Sequence, residues 1–70
     1  MNKIDKMFYN DLKKHFTELL DNGDTLNDIF EYSKNLFKDY LKSGAPQNIL
    51  DSMFSITIKA IFDIKKERGW

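Results

Sequence analysis

The chain has 70 residues, enough for one small domain, and its 11 basic side chains balance its 11 acidic ones. A domain of this size buries only about 60% of the surface its unfolded chain exposes, so its stability is marginal and self-association is a common remedy. The absence of cysteine excludes disulfides and thiolate zinc sites, and the balanced charge argues against a nucleic-acid binder, whose affinity rests on a basic excess that neutralises phosphates.

The opening run MNKIDKMFYNDLKK is charged throughout and lacks the apolar segment of a secretory signal. No apolar run approaches the length of about 20 residues that a bilayer crossing needs. The expectation is a soluble, cytoplasmic protein that does not engage a membrane. Within this first stretch Ile4, Phe8, Leu12, Phe16 and Leu20 recur at a spacing of four, and Met7, His15 and Leu19 fill the same face. Lys6, Asn10, Lys13, Lys14 and Thr17 fall opposite. This pattern predicts an amphipathic helix over residues 3–21, capped by Asn2 at its start and by a left-handed Gly23 at its end.

His15, the only histidine, has Asp11 four residues before it and Glu18 three after. One imidazole and two carboxylates on a single helix lack the further ligand that a metal site needs. The three therefore read as an edge-of-core histidine with Asp11 as a neighbour one turn away. No motif sets a serine or cysteine nucleophile beside it, so no catalytic residue is assigned. The acidic DNGDTLND of residues 21–28 does not carry its ligands at the spacing of a calcium loop. It reads as a helix end, a turn and a new N-cap. No metal and no cofactor is expected.

In the second stretch Leu26, Ile29, Phe30, Leu36, Phe37, Tyr40 and Leu41 share one face, with the small Ser33 among them. Thr25 and Asp28 resemble a capping box, Lys42 favours the negative end of the dipole, and Gly44 ends the segment. A helix over residues 26–42 follows. Its outer face carries Lys34, Lys38 and Lys42 in a line that could touch phosphates or an acidic partner, although Glu31 and Asp39 flank it. A helix-turn-helix reading would join this segment to the next through KSGAPQ. The second helix is long for a supporting helix, and PQNILDSMF offers Gln47 and Asn48 but no arginine to read guanine.

The third stretch, from Pro46 as first helical residue to about residue 67, contains FSITIKAIFDI, residues 54–64. Alternate residues there are apolar, as in a strand, but a strand would need a partner from another molecule beside two strong helices. Ile49, Met53, Ile56, Thr57, Ala60, Ile61 and Ile64 also form one helical stripe, opposite Asp51, Ser52, Ser55, Lys59, Asp63 and Lys66. The helix is the expected form. Phe54 then sits at the edge of the stripe, and Ile58 and Phe62 lie beyond it, a turn apart, among polar residues. Tyr9, Tyr32, Phe62 and Trp70 also lie at edges or ends, where Tyr and Trp suit an interface.

These elements predict one all-α domain over residues 1–70, an antiparallel three-helix bundle in which short loops make successive helices neighbours. A third helix docked on two others needs one apolar stripe, so the surplus at Phe54, Ile58 and Phe62 is the main functional clue. The expected function is a small non-enzymatic interaction protein. It would associate with a second copy, as a homodimer, or with a partner protein through this face. The alternative is a nucleic-acid-binding regulator using Lys34, Lys38 and Lys42, which needs a clustered basic face that this line supplies only in part. An enzyme would need converging polar groups in a pocket that so small a bundle has little room for.

Overall fold

The computed structural model describes residues 2–70 and contains three helices: α1 (Lys3–Asp21), α2 (Leu26–Lys42) and α3 (Gln47–Glu67). The fold is an all-α three-helix bundle. FSITIKAIFDI lies wholly within α3, so the alternation of its apolar residues reflects a wide apolar arc, only part of it buried, rather than a strand.

The helix boundaries follow from local chemistry. The Asn2 side chain accepts a hydrogen bond from the Asp5 backbone N–H at 2.8 Å. At α2 the Thr25 hydroxyl accepts from the Asp28 N–H while the Asp28 carboxylate accepts from the Thr25 N–H at 2.8 Å, so both arms of the capping box form despite the short acid. Pro46 sits outside α3, as its N-cap, rather than as the first helical residue; its carbonyl accepts from Ile49 and Leu50. Gly23 adopts φ = +103°. That left-handed turn lets Asp24 donate to the Leu19 carbonyl and Gly23 to the Leu20 carbonyl, the Schellman arrangement that satisfies the last turn of α1. Gly44 closes α2 with the same pair of bonds, to Tyr40 and Leu41.

Leu12, Phe16 and Leu20 of α1 form the core with Ile29 of α2 and with Ile56, Ala60, Ile61 and Ile64 of α3. Phe8, Tyr9, Leu19 and Leu36 pack against it. Paired contacts run in the same direction along α1 and α3: the Tyr9 hydroxyl donates to Asp63, Lys13 pairs with Glu67, and Arg68 pairs with Asp21 at 2.7 Å. The two helices are therefore parallel, and α2 returns antiparallel between their ends. Phe16 meets Tyr32 edge-on at 5.9 Å between ring centroids, and His15 lies 5.0 Å from the same tyrosine. The histidine is thus an edge-of-core aromatic, half-buried as the sequence suggests, with aromatic neighbours.

Three sequence expectations shift. Ile4 and Met7 are 77% and 59% exposed, not part of the buried face. The antiparallel return sets the end of α2 beside the start of α1, and α2 buries only Ile29, near its own start, so the bundle opens at that end. On α1, Tyr9, Lys13 and Thr17 are half-buried instead. On α3, Leu50 takes the buried position expected of Ile49, which is exposed.

Asp63 is held below its ordinary value of 3.8, first by the hydrogen bond from Tyr9 and then by that from Lys59. The same bond to Asp63, with burial, raises Tyr9 above 10.0. A depressed carboxyl stabilises the fold above its unfolded pKa and loses that contribution as pH falls through the folded value. A raised phenol stabilises below its unfolded pKa and loses the contribution as pH rises through the folded value. Tyr9→Phe should therefore lower Tm above the ordinary carboxyl range, leave it unchanged at the lowest pH and so flatten the acid limb of a Tm-against-pH profile, and should bring the Asp63 carboxyl, followed by NMR, back towards the ordinary range. An unchanged acid limb would mean that this bond does not couple α1 to α3.

Candidate interaction surface

α2 is the least embedded element. Its apolar arc is wider than the strip that α1 and α3 cover, so Phe30 and Leu41 remain 48% and 56% exposed and Phe37 is only half-buried. α3 has the complementary surplus: Phe54 is 60% exposed and Ile58 half-buried. These side chains flank an open groove of about 480 Å³ between α2 and α3, floored by Ser33, Leu36, Met53, Thr57 and Ile61. Its polar floor atoms are occupied: the Ser33 hydroxyl donates to the Ile29 carbonyl at 2.9 Å and the Thr57 hydroxyl to the Met53 carbonyl at 2.7 Å. Hydroxyls so engaged leave the groove apolar in character. Phe37 and Phe54 face each other edge-on at 6.5 Å across it.

The whole molecule records this opening. It measures 34 × 24 × 15 Å along the principal axes of its Cα trace. Its radius of gyration is 12.2 Å, against about 11 Å for a compact chain of this length. It exposes 5067 Å², against about 4,600 Å² for a folded monomer of its mass.

The sequence-derived residues divide. Phe54 and Ile58 line the groove. Phe62 does not: it stands 61% exposed one turn further along α3, with the Lys65 ammonium 5.9 Å from its ring centroid. Lys34, Lys38 and Lys42 are all exposed, and none enters an ion pair among the described residues. Lys34 and Lys38 border the groove and are its only charged lining residues among those described, while Lys42 lies in the last turn of α2. The basic line thus edges an apolar surface. Phe30, Phe37 and Leu41 were not singled out by the sequence, because they lie on an apolar face that a bundle helix ordinarily buries. A helical wheel carries the signal: all three fall on the side of that face next to Lys34 and Lys38.

Among the described residues no three histidine, cysteine or carboxylate side chains converge as a metal site, so Asp11, His15 and Glu18 are not brought together as ligands. A second, shallower depression between α1 and α3 is polar, lined by Asp5, Asp51, Ser52, Ser55, Ile56 and Lys59. Trp70, 57% exposed, lies with the Arg68 guanidinium carbon 5.4 Å from its ring. Among the described residues no helix is long and apolar enough to cross a membrane. No protein-family model matches the chain, and no curated protein or solved structure matches it.

The two classes of apolar residue should respond differently to substitution. Ile29→Ala removes buried volume at the only residue that α2 buries fully, and should destabilise by about 2–5 kcal/mol. Phe54→Ser, at an exposed site, should change the stability of the isolated chain by roughly 0.5 kcal/mol or less. Chemical denaturation at low protein concentration measures both; a large loss for Phe54→Ser would place that ring in the monomer core.

Proposed function

We propose that the protein is a small, non-enzymatic interaction protein whose α2–α3 face holds another protein chain, a second copy or a partner. The observation that supports this most is the open apolar groove, with Phe30, Leu41 and Phe54 exposed along it and Phe62 on the adjoining turn. The solvent-facing parts of these four side chains are about half of each. Covering them would contribute about 0.7–1.5 kcal/mol apiece, given about 1.5–3 kcal/mol for burying such a side chain completely. A twofold pair counts each residue twice. The resulting gain, on the order of 10 kcal/mol, is comparable with the 4–15 kcal/mol or more estimated for lost freedom on association. Self-pairing on this face is therefore weak, and a partner that supplies its own apolar anchors binds more tightly.

A nucleic-acid role receives less support. Lys34 and Lys38 border an apolar groove, and the chain has no net basic charge to draw a phosphate backbone. A cytoplasmic setting, suited to a chain without cysteine, is part of the same proposal.

Sedimentation equilibrium over a wide concentration range tests the reading, with circular dichroism as a control for helix content. The wild-type mass should rise above that of the monomer at high concentration. The double variant Ile58→Ser with Phe62→Ser, and Phe54→Ser separately, should remain monomeric and helical. Equal masses for wild type and variants at every concentration, with association retained in all, would move the interface elsewhere.

A further inference from the structure

Resting on the interaction reading, we infer that the intended occupant of the α2–α3 groove is an amphipathic helix of a partner protein, with acidic side chains along the flank that lies against α2. Three observations point to that chemistry. The groove is long: its α2 wall runs from Phe30 to Leu41, a length of about 16 Å at 1.5 Å per residue. That matches three turns of a helix, whose apolar face offers anchors at i, i+4, i+7 and i+11. The floor engages its own hydroxyls, so an extended peptide would find no sheet edge and few partners for its backbone, whereas a helix brings its backbone already satisfied.

The rim supplies the third observation. Among the described residues the only charged ones lining the groove are Lys34 and Lys38, one turn apart on the α2 wall, exposed and outside the ion pairs formed. The α3 wall contributes Phe54 and Ile58 and no charge. An occupant helix with Glu or Asp spaced one turn apart on one flank meets both ammonium groups, while its other flank meets apolar α3. This asymmetry also sets direction and register, the contribution that rim charges make more reliably than affinity. A second copy is the poorer occupant. A twofold pairing of groove on groove would bring Lys34 and Lys38 of both chains to one interface, with no carboxylate from the lining residues to meet them.

The test is a display selection on the immobilised 70-residue protein. The library consists of helical peptides with Leu, Ile, Met or Phe at the four anchor positions and an equal mixture of Glu and Lys at the flanking positions. Selected peptides should be enriched in Glu along one flank, and a selected peptide should bind roughly tenfold more tightly than its Lys-flanked counterpart at low salt. The difference should shrink as salt rises. On the variant Lys34→Glu with Lys38→Glu the preference should invert to Lys, and Phe54→Ser should abolish binding by either kind. Binders with unselected flanks, or a preference that survives the charge reversal, would overturn the acidic helix while leaving the interaction face standing. Failure to enrich any binder would also overturn it; if the wild type then still self-associates through Phe54, the second copy is the occupant. If no binder emerges and Phe54→Ser changes nothing in sedimentation, the interaction reading itself fails.

Discussion

The parallel packing of α1 on α3 is the interaction on which the rest of the molecule depends. Phe16 and Ala60 are fully excluded from solvent, and Leu12, Leu20, Ile56 and Ile64 complete the seam around them. The polar edge of the seam is tied by Tyr9 to Asp63, Lys13 to Glu67 and Arg68 to Asp21. These are solvent-facing pairs, so they fix alignment more than they add stability.

The position of α2 follows from that seam. Once α1 and α3 have paired side by side, a third helix can cover only one side of them, and α2 does so chiefly near its own start, where Ile29 is buried and Tyr32 meets Phe16. Towards its end it carries Phe37, Tyr40 and Leu41 away from the core without fully burying any of them. The three helices therefore retain apolar surface that a further element packed against them would cover. A partner helix in the α2–α3 groove would turn the open three-helix bundle into a four-helix bundle, with left-handed packing of the usual kind.

Much of this was legible in the sequence because caps and periodicity act locally. Asn2, Thr25 with Asp28, Gly23 and Gly44 each act through hydrogen bonds to residues within one turn or so, and the helix limits they define are those observed, apart from Pro46, which caps α3 from outside. The surplus at Phe54 and Ile58 was legible because it breaks the polar side of an amphipathic pattern. Ile4, Met7, Phe30, Phe37 and Leu41 were not legible as exposed or half-exposed. They obey the pattern, and only the tertiary arrangement leaves the far end of α2 uncovered. Nor could spacing reveal that Lys34 and Lys38 border an apolar groove, since that depends on where α3 comes to lie beside α2.

The central claim is that α1 and α3 form the stable body while the second half of α2 is a lightly held wall awaiting cover. Native-state hydrogen exchange on the free protein at low concentration tests it most directly, because amides in a weakly packed element open without global unfolding. Amides in α1 around Phe16 and in α3 around Ala60 should exchange only with global unfolding, and those from Phe37 to Lys42 should exchange through a smaller opening. Equal protection along all three helices would contradict the account.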